Sequence, residues 1–313
     1  MDKADKLNLA KYCIGDIINE DDPNYGVFLF GCYGLLDKFG SEYAELIKMI
    51  FTDSNFFLEN KPLQELIDKT GYQYKVVKGE KATSFTGVFG ALDSQLNFRI
   101  KQEKPIVCIS TTDISANEFL SRFTHEISHI IKGLIRSVIM QPNENIVTIR
   151  RGLVLEKYNT EARDLNAICY NEILEEVTTV FQTADMMESI CQLDRELLND
   201  NVKLFYDQLD LSTLSLPCGY ERTIPYFETL WQNDSFKHLI DDNVIMGNVE
   251  KIEEEFDGII GQDKFKRFSQ ALDNLYCANC TGIKKVENGI FLKRTINDYN
   301  KITSKKESKK VKS

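Results

Sequence analysis

The chain has 313 residues, a hydrophobic content of 42% and a formal net charge of −10 at pH 7. This apolar content is sufficient for one large domain or for two lobes with cores of their own. The acidic balance argues against nucleic acid as the main partner. The apolar run 27–36 is too short to cross a bilayer, and no N-terminal signal is visible, so we expect a cytoplasmic protein without a membrane span.

The eight cysteines are scattered, mostly in apolar stretches, which is typical of reduced thiols in a cytosolic protein. Cys277 and Cys280 form the one C-x-x-C spacing. A structural zinc site would need a second pair of ligands, and the sequence contains no second C-x-x-C. We therefore interpret these two residues as ordinary thiols near the end of a helix.

The first third of the chain combines a helical segment with a strand-rich one. Apolar periodicity predicts helices over 1–72, and glycine turns separate predicted strands over 73–112. Residues 105–110 form a short β-branched run that predicts a strand, with residues 97–100 as a possible partner. Such a strand can offer its edge to an extended peptide, although an ordinary core strand explains the same residues.

A long helix is predicted after this strand. Ser115 and Glu118 have the S-x-x-E spacing of a capping box, and apolar residues then recur every three or four positions. We expect the helix to begin at Ser115 and to continue to Ile139.

This helix carries the most informative motif of the chain, Thr-His-Glu-Ile-Ser-His at residues 124–129. In this H-E-x-x-H pattern His125 and His129 lie one turn apart on one helix face, where two imidazoles can bind one zinc ion. Glu126 is placed to act as the general base on a zinc-bound water. The motif uses two of the three histidines in the chain.

Carboxylates downstream provide a third ligand. Residues 144–155 predict one or two strands with a turn at Gly152, and a helix follows that carries Glu172 and Glu176. The spacing i, i+4 places both glutamates on one helix face. One can bind the metal while the other accepts a hydrogen bond from a ligand histidine.

H-E-x-x-H followed by Asn171-Glu172-x-x-x-Glu176 resembles the gluzincin class of zinc metallopeptidases. The resemblance covers about residues 105–185. It implies zinc ligation by His125, His129 and Glu172, with one zinc ion per chain and Glu176 as an outer-shell acid. It also implies hydrolysis of a peptide or protein substrate, with Glu126 as the general base.

Three points remain open at this stage. Ser121 to Glu126 resembles part of the ImmA/IrrE family of regulatory peptidases, which implies Glu161 as an alternative third ligand. A degenerate zincin that serves as a non-catalytic binding module is the other alternative. The donor that stabilises the transition state is not assigned; Tyr170, Tyr220 and His238 are candidates.

These patterns together predict an α+β fold with a zincin-like catalytic core, consisting of a small mixed sheet and the H-E-x-x-H helix. N-terminal helices and a C-terminal helical lobe flank the core. The predicted segments are 1–72 (N-terminal helices), 73–190 (catalytic core), 191–298 (C-terminal lobe) and 299–313 (tail). Residues 301–313 contain six lysines and one glutamate, so we expect the tail to be disordered and basic.

Overall fold

The structure is a computed structural model, and it shows a helix-rich α+β protein with small sheets, which confirms the predicted class. No helix in the described part of the chain is long and apolar enough to cross a bilayer. The structure describes residues 1–71, 84–87, 91–92, 98–99, 104–134, 136–141, 146–159, 168–210, 220, 222–276 and 282–310.

The helices of the described residues fall before, within and after the predicted core. They are α1 (Lys3–Ile14), α2 (Tyr25–Phe39), α3 (Ala44–Asp53), α4 (Leu63–Thr70), α5 (Ala116–Leu134), α6 (Glu172–Cys191), α7 (Asp200–Tyr206), α8 (Ile224–Trp231), α9 (Asp234–Val244), α10 (Val249–Ile260), α11 (Lys264–Tyr276) and α12 (Ile283–Lys310).

The described strands form three small sheets. They are β1 (Asn55–Glu59), β2 (Ser84–Gly87), β3 (Ala91–Leu92), β4 (Phe98–Arg99), β5 (Ile106–Ser110), β6 (Arg136–Gln141), β7 (Ile146–Arg151), β8 (Val154–Asn159) and β9 (Ile168–Tyr170). The first sheet is mixed, because β5 pairs with β1 in parallel and with β2 in antiparallel orientation. The second sheet pairs β3 with β4, and the third is an antiparallel meander in the order β6-β7-β8-β9.

The chain divides into two compact units. The first comprises Met1–Ile131 and Gln182–Pro217, and the second comprises Lys132–Phe181 and Cys218–Ser313. Helices α5 and α6 contribute residues to both units.

The first unit has an aromatic core between α2, α3, β1 and α5. The ring centroids of Phe28 and Phe123 are 4.9 Å apart, and those of Phe28 and Phe56 are 4.8 Å apart. A β-carbon on Gly31 would lie 2.8 Å from the Phe123 ring, so only glycine allows α2 to approach α5 this closely. The packing against Phe123 holds the motif helix in the core of the unit.

The second unit has its own core, in which Phe181 of α6 packs against α8. Its ring centroid lies 5.5 Å from that of Phe227 and 6.1 Å from that of Trp231. Phe256 and Tyr299 stack at 4.9 Å and attach α10 to α12. These contacts support the first half of α6, which carries both candidate glutamates.

Helix α5 ends at Leu134, earlier than the predicted end at Ile139. Residues 136–141 instead form β6, whose six residues all pair with β7. The prediction was wrong because a β-branched stretch with apolar periodicity suits a helix or a strand, and the choice depends on a partner strand further along the chain.

The predicted strand at residues 105–110 is confirmed as β5, but its possible pairing with residues 97–100 is wrong. Phe98 and Arg99 pair with Leu92 and Ala91 rather than with β5. Strand β5 is also the central strand of its sheet, so its backbone is paired on both sides and offers no free edge.

The basic tail is helical rather than disordered as far as the structure describes it. Helix α12 runs to Lys310, and residues 311–313 lie outside the described residues. Tyr299 and Thr303 are buried, so α12 is anchored by packing as far as residue 303.

A buried ion pair in the second unit connects the end of α5, the start of α6 and the β7–β8 turn. Nζ of Lys132 lies 2.5 Å from Oε1 of Glu175, and the two side chains are only 1% and 7% exposed. Lys132 also donates to the Thr179 hydroxyl. The second carboxylate oxygen of Glu175 accepts a hydrogen bond of 3.0 Å from the backbone N–H of Leu153.

The turn at Gly152, predicted from the sequence, is shaped to reach this carboxylate. Gly152 has a φ of +54°, which favours glycine, and a β-carbon there would lie 2.9 Å from Oε2 of Glu175. The turn therefore brings its backbone against the ion pair.

We predict that Lys132→Met lowers the free energy of unfolding by about 3–5 kcal/mol, because it leaves the Glu175 carboxylate buried without its counter-charge. The double variant Lys132→Met/Glu175→Gln should recover much of this loss. Urea denaturation measures both.

The matched control is Lys61→Met, which removes an exposed ion pair with Glu59 and should leave stability nearly unchanged. If Lys132→Met costs no more than this control, the buried pair does not hold the unit together.

Candidate metal centre

The motif helix begins as its sequence predicts. The backbone N–H of Glu118 donates to Oγ of Ser115 at 3.2 Å, and the backbone N–H of Ser115 donates to the Glu118 carboxylate at 3.1 Å. This reciprocal pair is the predicted capping box. The apolar stripe of α5 is fully buried at Leu120, Phe123 and Ile127, so the helix is fixed along one face.

The imidazole rings of the two motif histidines approach each other through their Nε2 atoms. Nε2 of His125 lies 3.0 Å from Nε2 of His129, and the ring planes are 82° apart. Two nitrogens bound to one tetrahedral zinc, at about 2.0–2.1 Å from the metal, would be separated by about 3.3 Å. The observed separation therefore fits a shared metal ion with a small adjustment of the rings.

A carboxylate from α6 completes a possible ligand set. Nitrogen atoms of His125 and His129 and a carboxylate oxygen of Glu176 all lie within 4.8 Å of one another. Among the described residues, this is the one group of three or more His, Cys, Asp or Glu side chains with such spacing. The three residues can hold a metal ion, and two imidazoles with one carboxylate form a donor set found in catalytic zinc sites.

The neighbouring ion pair explains why Glu176 is held at this position. Lys132 follows His129 by three residues and shares its helix face, and Glu175 immediately precedes Glu176 in α6. The contact between Lys132 and Glu175 thus fixes how α5 and α6 are aligned along their axes next to the candidate ligands.

Glu172 lies outside this group. It is exposed and is the first residue of α6, one turn, or about 6 Å along the axis, before Glu176. Its carboxylate is hydrogen-bonded to the Cys169 thiol, whose pKa is raised to about 11 by burial and by the charge of Glu172. The predicted ligand role of Glu172 therefore gains no support from the geometry, whereas Glu176, predicted as an outer-shell residue, is the carboxylate that groups with the two histidines.

Glu126 is 7% exposed and lies close to β5. Burial, together with the negative charge of Glu126, raises the pKa of the Cys108 thiol to about 12. Cys108 is therefore a neutral thiol at physiological pH, and it does not belong to the group formed by the two histidines and Glu176. Glu126 is the carboxylate adjacent in sequence to His125, where the H-E-x-x-H pattern places the general base.

The other residues named from the sequence are dispersed. Tyr170 ends β9, where the Lys157 ammonium lies 5.6 Å from its ring centroid, and Tyr220 packs against Tyr276 at 5.4 Å. His238 is exposed on α9. Glu161 lies outside the described residues, as do Cys277 and Cys280.

The sequence patterns did not identify Lys132 and Glu175 as a buried ion pair beside the candidate ligands. The signal was present for Lys132, a single cation between Ile131 and Leu134 in an otherwise apolar stretch on the face of His129. Glu175 gave no distinct signal, because it is one of three glutamates within five residues and only its burial distinguishes it.

Comparison of the chain with protein-family models, with curated proteins and with solved structures finds no match. The assignment of the site therefore depends on the residues and on their geometry.

Asp273 of α11 lies at the beginning of α6. Its carboxylate accepts a hydrogen bond of 3.3 Å from the backbone N–H of Ile173. Burial raises its pKa from 3.8 to about 6, and the charge of Glu172 adds to the rise, although hydrogen bonds from the Ile173 and Asn171 backbone oppose it. The folded protein therefore binds this proton more tightly than the unfolded chain.

We predict a pH dependence of stability that Asp273→Asn removes. The contribution of Asp273 is complete below about pH 3.8 and is lost as the pH rises through about 6, since its folded pKa is the higher one. The free energy of unfolding of the wild type, relative to that of Asp273→Asn, should therefore decrease as the pH rises from about 3.8 to about 6. Urea unfolding measures it. Asp242→Asn, at an exposed position of α9, is the control, and equal pH profiles for all three proteins would contradict the assignment.

Proposed function

We propose that the protein is a zinc-dependent peptidase whose metal is held by His125, His129 and Glu176. The observation that supports this proposal is the convergence of these three side chains within 4.8 Å. Two of them come from an H-E-x-x-H helix, a motif that serves hydrolysis in metallopeptidases.

Glu176 is assigned as the third ligand in place of Glu172. Both glutamates lie on one face of α6, but only Glu176 is within ligand distance of the two imidazoles. Glu172 faces the Cys169 thiol, which is uncharged near neutral pH, and lies near Asp273. In this proposal Glu172 is a surface residue at the start of α6 and does not bind the metal.

In the proposed reaction, Glu126 and the two histidines have different roles. Zinc bound there would lower the pKa of a bound water to about 7, far below that of bulk water, and would polarise a carbonyl group. Glu126 accepts the proton of the attacking water and delivers it to the leaving amine. His125 and His129, whose Nε2 atoms face each other, would hold the metal, so both rings must be neutral for the site to form.

The ligand assignment predicts different metal affinities for two neighbouring glutamate variants. Glu176→Ala should weaken zinc binding by at least about 100-fold, because the loss of an outer-shell partner alone costs about 10- to 100-fold. Glu172→Ala, one turn away on the same helix, is the matched control and should keep zinc near the wild-type level. Competition with a chromophoric chelator measures both affinities.

Glu161→Ala belongs in the same series, because the ImmA/IrrE-like alternative uses this residue. Loss of zinc in Glu161→Ala with retention in Glu176→Ala would reject the assignment and favour a regulatory peptidase. Retention of zinc by all three variants would exclude each of these carboxylates as an essential ligand.

Catalysis is tested separately through Glu126. We predict that Glu126→Gln keeps one zinc ion per chain but lowers peptide hydrolysis by about 100- to 10,000-fold, the usual contribution of a general base. A quenched fluorescent peptide library measures the rate, with zinc content checked on the same samples. Zinc binding by the wild type without turnover of any peptide or folded protein would identify a non-catalytic module instead.

A further inference from the structure

The beginning of α12 presents an apolar stripe to solvent. Ile283, Val286 and Ile290 are 77%, 60% and 55% exposed, and their spacing of three and four residues places them on one face over two helical turns. Exposed large aliphatic side chains occur singly on most proteins, but three in one stripe indicate an interaction surface.

This stripe is not part of the core of the second unit. The same helix buries Leu292, Ile296 and Tyr299 against the rest of the unit. At 100° per residue these three side chains cluster on one side of α12, whereas the stripe of Ile283, Val286 and Ile290 lies on the opposite side. The stripe is therefore the outward face of a helix that is already anchored by its inner face.

Basic residues surround the stripe. Helix α12 contains nine lysines and arginines and three acidic residues, in a chain whose net charge is −10. All of the basic side chains of α12 whose exposure is described are exposed: Lys284, Lys285, Lys293, Arg294, Lys301 and Lys305.

An open cavity of about 520 Å³ beside the stripe extends this basic surface onto α11. Lys264, Arg267 and Arg294 line it together with Ile290 and Phe291. The Arg267 guanidinium lies 4.3 Å from the centroid of the Phe291 ring.

Glu287 and Asp298 also line the cavity and reduce its positive charge. Within the described parts of the chain, neither of them nor any other carboxylate lies within ion-pair distance of the three cations. These cations therefore remain available for an external anion.

We propose that this surface, comprising the stripe and the surrounding basic residues of α11 and α12, binds the surface of an anionic phospholipid membrane. The isoleucines enter the boundary between headgroups and acyl chains, and the lysines and arginines contact lipid phosphates. The cavity between α11 and α12 receives one anionic headgroup.

Two observations favour a lipid surface over other polyanions. Single-stranded nucleic acid is bound by basic grooves with aromatic platforms for the bases, whereas the exposed large apolar residues of α12 are aliphatic. Exposed lysines and arginines also lie on the same helix as the apolar stripe, which is the arrangement of helices that bind in the plane of an anionic interface. This inference is independent of the metal centre and of the proposed peptidase activity.

The test is flotation of the full-length protein with vesicles. We expect binding to vesicles of equal parts phosphatidylserine and phosphatidylcholine, and at least about tenfold weaker binding to phosphatidylcholine alone. Raising the ionic strength from about 0.1 M to about 1 M, which shortens the Debye length from about 10 Å to about 3 Å, should release the protein.

Two double variants test the two components of the surface. Ile283→Ser/Ile290→Ser and Lys284→Gln/Lys285→Gln change exposed side chains, so the fold should persist, and each should weaken vesicle binding at least about tenfold. The controls are Leu204→Ser, another exposed aliphatic position that is 66% accessible, and Lys251→Gln on α10.

Equal binding of the wild type and both double variants would overturn the proposal, as would equal binding to neutral and anionic vesicles. Binding to duplex DNA or RNA without binding to vesicles would assign the basic surface to nucleic acid. Circular dichroism of each variant verifies that the helices are intact.

Discussion

The ion pair between Lys132 and Glu175 is the constraint on which the candidate centre depends. Both side chains are almost completely buried, so neither can be solvated when its partner is lost. The pair joins the last turn of α5 to the first turn of α6, and the Leu153 N–H adds the β7–β8 turn to the same carboxylate. Three segments that are distant in sequence are thus fixed at one point.

The position of this pair matters more than its net contribution to stability. A buried ion pair often stabilises a protein no better than apolar residues of the same volume would. Its geometry is specific, however, because Lys132 must contact both Glu175 and Thr179. Sliding α6 by one turn would break these contacts and would bring a different residue to the histidines. Glu176, rather than Glu172, is the carboxylate that groups with His125 and His129.

Local sequence signals predicted the elements that depend on local interactions. The capping box at Ser115 and the alternating residues on either side of Gly152 specify their structures within a few residues, and both are present. The α+β class and the approach of the two histidines follow from the same kind of signal. The motif places His125 and His129 one turn apart wherever the helix lies.

Features that depend on distant partners could not be predicted in this way. Strand β6 forms because β7 pairs with it, so the end of α5 was placed five residues too late. The i, i+4 spacing places Glu172 and Glu176 on the same helix face, so it cannot tell which of them lies beside the two histidines. The helical end of α12 depends on core contacts of Tyr299 and Thr303 that composition does not reveal.

The most direct test of the metal centre is a crystal structure with anomalous diffraction measured on both sides of the zinc absorption edge. The account predicts one anomalous peak per chain, in contact with Nε2 of His125, Nε2 of His129 and a carboxylate oxygen of Glu176. A peak bound by Glu172 or Glu161 instead, or no zinc peak at the two histidines in crystals grown with zinc, would contradict it.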